Sequence, residues 1–476
     1  MHIFNQVLRS ERQRRTAVGG LVVYLAVTAA LRAALPGMPL VWVGVMWLIV
    51  VTTVLAYGST RACTWQGMAV MYVAATLVSA GVIADVWYYT VYSGGTDSAP
   101  VLLNPDVNRH WSQAVDFLES PAEWFMNIRA FSYVPAAVMW VFGYSISACC
   151  LISMAFLMTS LVQVAVICRR LGLSRRQCTA ALIVMTCLCY WTSMGCTLLK
   201  DAMSICAILL AARSMLRTRP GALLLVAAVM GGLARPPLCG MMVLGLVLTF
   251  PFKAPDKGRV ALVRLVWAGV CLLPWYAANH MGVYTSPANY AAVQELVNNM
   301  YVAPQHYAYY ELFGNTGTMP LWQRVLMLPL SACVQMLVPF PWNWLRDLEF
   351  GPSFVYAHFA YPRYIFEAIF IFFVFMSRDY WRRYSSDSKR VTLYMLAVWG
   401  LLCWLSSCVI YGGTVSRYGL SAVALMAPAV VVCLSDYGRR RAFRIWLTVF
   451  AVTMLVVLCV AYRLQMSALN GPNPLA

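Results

Sequence analysis

Apolar runs of about 20 residues, the length one helix needs to cross a bilayer, recur from one end of this 476-residue chain to the other. A fold with one water-facing surface and one dry core cannot absorb that many. With 61% hydrophobic residues, 11% charged residues and a mean hydropathy of +0.69, the chain falls in the membrane class. The expected fold is all-α and polytopic. No cleavable signal pattern precedes the first run, which reads as an anchor.

Hydropathy predicts about thirteen transmembrane helices. They run at 17–35, 40–57, 67–89, 146–168, 178–194, 201–216, 222–233, 238–251, 261–278, 364–376, 391–411, 419–434 and 445–462. The resulting organisation has an N-terminus at 1–16, three spans over 17–91, an outer loop at 92–145 and six spans over 146–278. A second outer region follows at 279–363, then four spans over 364–463 and a tail at 464–476. Counting Leu321–Phe340 as a further span would put Arg378–Arg390 outside, so that segment is expected to be interfacial or re-entrant. Its internal Pro329 suits a broken element.

With these spans the basic clusters share one side: Arg12, Arg14 and Arg15; Arg169, Arg170, Arg175 and Arg176; Lys253, Lys257 and Arg259; Arg382, Arg383, Lys389 and Arg390; Arg439, Arg440, Arg441 and Arg444. An excess of cations marks the cytoplasmic side. The formal charge of +18 then follows from topology and contact with anionic lipid, and no nucleic-acid partner is needed. The sixteen cysteines lie mostly inside spans, without the spacing of a disulfide or zinc framework. No internal repeat appears, which weighs against a transporter built from two equivalent halves.

The acids divide unevenly, and most fall in the two outer regions, so any chemistry is expected outside. In the first region, Asn104 is a candidate N-cap, Pro105 suits the first helical position, and Trp111, Ala114, Val115 and Leu118 form an apolar stripe. This predicts a helix on the membrane surface with Asp106, Arg109, His110 and Gln113 on its polar face. A solvated polar face with an acid in its first turn is the plain alternative. In the second region, the aromatic stretch from Asn298 to Asn315, and Trp342, Trp344, Arg346 and Asp347, could stack on sugars or belong to the interfacial belt.

The apolar run from Cys178 to Leu216 is about twice the length of one crossing, so the chain turns near Lys200 and Asp201. There Asp201 complements the positive end of a helix. Arg235 and Arg417 mark two other outer turns. An interfacial arginine is usually an anchor, but three cations on one face facing acid-rich loops suit a phosphate held beside a general base.

The segments that carry this pattern are "NPDVNRHWSQAVDFL", "SYVPAAVMWVFGYS" leading to "VICRRLGLSRR", "YWTSMGCTLLKDAMS", "LARPPL", "VPFPWNW" and "SRYGLSA". Their order resembles bacterial membrane glycosyltransferases of the GT-C fold, in the branch similar to protein mannosyltransferases and aminoarabinose transferases. The resemblance covers about Asp85 to Leu434 and rests on order, each motif being short and degenerate. It implies sugar transfer from a polyprenyl-phosphate carrier to a glycan, lipid or protein acceptor at the outer face of a bacterial cytoplasmic membrane. The base would be Asp106, with Asp116 or Asp85 in reserve. Lys200, Arg235 and Arg417 would hold the carrier phosphate, with Asp201 orienting Lys200, and Arg109, His110, Tyr418 and Trp342 would complete substrate binding. The family's frequent Asp-Glu pair is Asp106-Val107 here, and two spans precede the one that leads into this loop.

No cofactor is identified; a divalent cation is compatible with these acids and histidines but not assignable, because their spacing matches no ligand motif. Two other classes share the hydropathy. An oligosaccharide repeat-unit polymerase or ligase would rely on Arg324 and Arg346 of the second outer region. A non-enzymatic transporter of lipid-linked sugars would need charged residues facing a midplane cavity.

Overall fold

The computed structural model describes residues 10–121, 130–251, 255–280, 321–337, 351–357, 359, 361–411 and 419–470. Among them there is no strand. The chain runs through α1 (Glu11–Ala34), α2 (Leu40–Ser59) and α3 (Trp65–Trp87), which ends in a π-helical turn, Tyr88–Tyr92. After α4 (Pro105–Glu119), a single 3-10 turn at Ala130–Ser132 leads into α5 (Tyr133–Phe142). Then come α6 (Ile146–Arg170), α7 (Arg175–Cys187), α8 (Cys189–Ser193), α9 (Lys200–Met215), α10 (Ala222–Ala234), α11 (Pro237–Leu248) and α12 (Lys257–His280). The remaining helices are α13 (Leu321–Leu326), α14 (Leu328–Leu337), α15 (Ser353–Ala357), α16 (Tyr361–Phe375), α17 (Ser377–Tyr384), α18 (Ser388–Tyr411), α19 (Leu420–Tyr437) and α20 (Arg441–Asn470).

Polar residues set the starts of several helices. Ser10 with Gln13 and Ser174 with Gln177 form capping boxes on α1 and α7, while Thr64 and Ser145 accept from backbone amides of α3 and α6.

Eight helices among the described residues are long and apolar enough to cross a membrane: α1, α2, α3 with its π-helical turn, α6, α12, α18, α19 and α20. The other expected spans form helices of 12 to 16 residues, namely α7, α9, α10, α11 and α16. A 13-residue helix rises about 20 Å, short of a hydrocarbon core about 30 Å thick. Hydropathy sums apolar residues and is blind to the turn at Leu188, inside one expected span, whereas the turn at Arg235-Pro236-Pro237 falls where the sequence put it. The segment expected to be broken around Pro329 is indeed two short helices, α13 and α14, with Pro329 in the first turn of the second.

Contacts between distant segments gather the described members of the five basic clusters at one end of the bundle. Gln13 donates to the Cys63 carbonyl at 3.3 Å, Arg175 to the Arg61 carbonyl at 3.2 Å, and Gln177 to Ser435 at 2.9 Å. Asp379 joins Arg383 and Arg440 at 3.2 and 3.6 Å, and Lys389 lies against Gly172. Arg264, five residues beyond Arg259 on α12, closes this end from below. It is 4% exposed and donates to the carbonyls of Leu246 (2.6 Å) and Met215 (2.8 Å), where α11 and α9 end. A cation suits these positions because the last carbonyls of a helix lack intrahelical donors.

The centre is formed by α9 and α19, which pack on each other and are buried on nearly every side. Most of α20 is unburied, Phe443 and Leu458 being its buried residues among those described, and the membrane-length windows of α1 and α12 are only 17% buried. Where α1 crosses α3, Gly20 lets the Tyr72 ring approach its backbone. Polar bonds then tie the pair, Tyr24 to Ser79 at 2.8 Å and Tyr72 to the Ala17 carbonyl at 2.8 Å, as suits helices in a solvent that offers no hydrophobic drive. The sixteen cysteines are free thiols, most of them buried, as the sequence implied.

Candidate functional site

At the end opposite the arginine clusters, Lys200 is the first residue of α9 and Asp201 the second. Asp201 is 3% exposed, and its Oδ1 forms an ion pair with Nη2 of Arg235. Arg235 follows the last residue of α10, and the two prolines after it stop that helix and hold it extended (φ −154°, ψ 98°). Because α9 and α10 pack side by side, this extended residue meets the start of α9. The second oxygen of Asp201, Oδ2, is buried without a hydrogen-bond partner among the described residues. The carboxylate was expected to orient Lys200; its ion pair is with Arg235, and Lys200, half-buried, is the residue just before it in α9.

The amphipathic helix α4 begins as its sequence indicated. Asn104 caps it, accepting from the amides of Asp106 (3.1 Å) and Val107 (3.3 Å), and Pro105 takes the first turn. Its buried face is Val107, His110, Trp111 and Ala114. His110, expected on the polar face, is therefore turned inward and is 1% exposed. A helical stripe at positions i, i+3, i+4 and i+7 contains His110 together with Trp111 and Ala114. Its Nδ1 lies 3.1 Å from Ser132 Oγ, which donates to Gln113 at 3.0 Å, and the Phe131 ring meets the imidazole edge-on. The Ala130–Ser132 turn packs on α10. This carries α4 toward the helix that ends at Arg235.

Asp106 and Arg109 are half-buried, as is Asp116. The two aspartates are separated by about 15 Å along the helix, so they do not form one carboxylate pair. Arg417, Tyr418 and Trp342, together with Trp344, Arg346 and Asp347, lie outside the described residues, as does the aromatic stretch from Asn298 to Asn315.

The reserve base, Asp85, is occupied. It is fully buried near the end of α3, and its two oxygens accept from the amide (2.8 Å) and hydroxyl (2.5 Å) of Ser353. Next to it Tyr89 shares a hydrogen bond with Thr197 at 3.2 Å. Gly351 has φ +123°, and a Cβ there would sit 2.9 Å from the Tyr89 hydroxyl and 3.1 Å from Asp85 Oδ1. Asp97, another acid of the region expected outside, is likewise a structural acceptor: it takes bonds from the hydroxyls of Ser145 and Ser147 (both 2.6 Å) and from the Ser147 amide (3.0 Å) at the start of α6.

One polar cluster escaped the sequence reading. Arg363 Nε pairs with Glu367 Oε1 at 3.0 Å and also donates to the Gln335 carbonyl, while Gln335 Oε1 accepts from Ser407 at 3.0 Å. Glu367 Oε2 and Gln335 Nε2 are buried without partners among the described residues. The signal was an Arg and a Glu four residues apart in an apolar run, the spacing of a helical ion pair. Among the described residues no group of three or more His, Cys, Asp or Glu stands close enough to hold a metal ion. Comparison of the chain with protein families, with curated proteins and with solved structures finds no match.

Proposed function

We propose that this protein is an integral membrane glycosyltransferase of GT-C type, moving a sugar from a polyprenyl-phosphate carrier to an envelope glycan, lipid or protein acceptor. On this reading the basic end faces the cytoplasm of a bacterium, and the opposite end carries the site outside the cytoplasmic membrane. The observation that carries the proposal is the Asp201–Arg235 pair beside Lys200, a compact group of two cations and one acid held by packed helices.

In this mechanism Lys200 and Arg235, joined by Arg417, hold the carrier phosphate and stabilise the charge that develops as it leaves. Asp201 fixes the guanidinium of Arg235, so that little reorganisation is needed when the phosphate departs. Asp106 takes the proton of the acceptor hydroxyl, which is a poor nucleophile until a positioned carboxylate receives that proton. The hydroxyl oxygen attacks the anomeric carbon from the face opposite the phosphate, the C–O bond to phosphate breaks, and the centre inverts. The departing phosphate needs no proton donor, unlike the leaving group in glycoside hydrolysis. Arg109, with Tyr418 and Trp342, would take part in substrate binding, while His110, buried against Ser132 and Phe131, would act by seating α4.

The buried Arg363–Glu367–Gln335 cluster favours a second reading, an oligosaccharide polymerase or ligase whose decisive residues belong to the later outer region. One assay separates the two. Purified protein in lipid is given a panel of polyprenyl-phosphate sugars and compared with Asp106→Asn and Lys200→Ala. Transfer lost in both variants, with carrier binding weakened mainly by the lysine change, supports the transferase. Transfer retained in Asp106→Asn removes that base and favours the later region, and no transfer with any carrier leaves a lipid-linked sugar transporter.

A further inference from the structure

The last helix, α20, is attached to the protein by one side only. Phe443 and Trp446 pack on Phe372, Trp446 Nε1 donates to the Ala368 carbonyl of α16 at 2.8 Å, and Leu458 packs against Tyr364. On the other side, Arg441, Arg444, Ile445, Thr448 and Val449 line a shallow groove. An apolar stripe continues from it through Val452, Val456 and Val460, each more than half exposed.

The charge of this groove is one-sided. The nearby acids are engaged elsewhere, Asp379 with Arg383 and Arg440 and Asp436 with the Tyr384 hydroxyl at 2.9 Å. Neither Arg441 nor Arg444 has an acidic partner among the described residues. The two arginines are three residues apart and therefore neighbours on the helix surface. The stripe from Ile445 to Val460 rises about 23 Å, more than the half-thickness of a hydrocarbon core of about 30 Å. A cationic pair at a helix end, followed by an apolar track of that length, matches a lipid with a negative headgroup.

We propose that this face of α20 is a binding site for an anionic phospholipid. The phosphodiester sits between the guanidiniums of Arg441 and Arg444, and an acyl chain lies along Ile445, Val449, Val452 and Val456. A second copy of the chain is disfavoured as occupant. Two copies sharing one membrane orientation and related by a two-fold axis through this face would bring their arginine pairs together. The site lies at the end opposite Asp201 and Arg235 and is independent of the proposed transferase.

The test uses the full chain purified in neutral detergent, with bound lipid counted by native mass spectrometry. The probes are phosphatidylglycerol, phosphatidylcholine of the same chains, and glycerol phosphate. Two arginines near a surface are expected to favour phosphatidylglycerol by about 30-fold over phosphatidylcholine. Arg441→Gln with Arg444→Gln should abolish that preference, whereas the double change to Lys should keep it. Both residues are exposed, and an unchanged melting temperature in phosphatidylcholine confirms that the glutamine variant folds. Equal retention of the two lipids, or a preference that survives the glutamine change, overturns the site. Full competition by glycerol phosphate would replace a lipid site with a soluble-phosphate site, and a dimer dissociated by the glutamine change would give the face to a second copy; either result also overturns it.

Discussion

Asp85 and Ser353 stand 268 positions apart in the chain and are joined by two hydrogen bonds, 2.8 Å from the Ser353 amide and 2.5 Å from its hydroxyl. This clasp fastens the start of α15 to the end of α3. Asp85→Ala leaves a buried amide and hydroxyl without acceptors, and such losses cost about 1–3 kcal/mol per group. We expect a lower melting temperature and faster proteolysis after Ser353, with Asp85→Asn retaining part of the stability because its amide oxygen still accepts. Equal melting of Asp85→Ala and parent would remove the clasp from the fold's energetics.

Gly351 offers a second measure of the same junction. With φ +123°, in a region close to exclusive to glycine, Gly351→Ala is expected to cost about 1–3 kcal/mol. The added methyl would also press on Tyr89 and Asp85. Thermal unfolding of the variant alone and together with Asp85→Ala should show that the two effects do not add, since the residues are in contact.

The Asp201–Arg235 pair predicts asymmetric single substitutions. Asp201→Asn removes a carboxylate facing a guanidinium whose side chain is only 13% exposed, and breaking such a pair costs about 3–5 kcal/mol. Replacing both partners by Leu and Met should recover much of the stability and, if the proposed function holds, abolish sugar transfer. A double variant that transfers sugar at the parent rate would confine the pair to structure.

His110 should act through the docking of α4. In His110→Ala the Ser132 hydroxyl loses the imidazole and keeps Gln113. Amide exchange is expected to rise across Pro105–Glu119 while α6 and α9 stay protected. Unchanged exchange in α4 would mean that its apolar face alone seats it.

Arg264→Met tests the basic end. The guanidinium caps the carbonyls that close α9 and α11, and its loss exposes buried acceptors at about 1–3 kcal/mol each. The expected result is a lower melting temperature and accelerated exchange in the last turns of both helices, with the Asp85–Ser353 junction unaffected.

Much of the architecture could be read from local chemistry. The membrane class, the long helices, the cap at Asn104 and the break near Pro329 follow from residue types within a turn or two of each other, and the sharing of one end by the basic clusters follows from the order of the apolar runs. Of the thirteen expected spans, eight have the length of a crossing, while α7, α9, α10, α11 and α16 have its apolarity in helices of only 12 to 16 residues. His110 was assigned to the polar face by residue type, yet its position on the helix puts it with Trp111 in the buried stripe.

Pairing was decided by the tertiary structure alone. Lys200, Asp201 and Arg235 could each be singled out as charges in apolar surroundings, but that Asp201 belongs to Arg235 depends on α9 lying beside α10. Asp85 looked like a free acid until a serine from the far end of the chain covered both of its oxygens. Hydropathy is a property each residue carries by itself, so the sequence determined that this chain enters a membrane as helices. A hydrogen bond or ion pair belongs to two residues at once, and across tens to hundreds of positions only the packing of the helices determines which two they are.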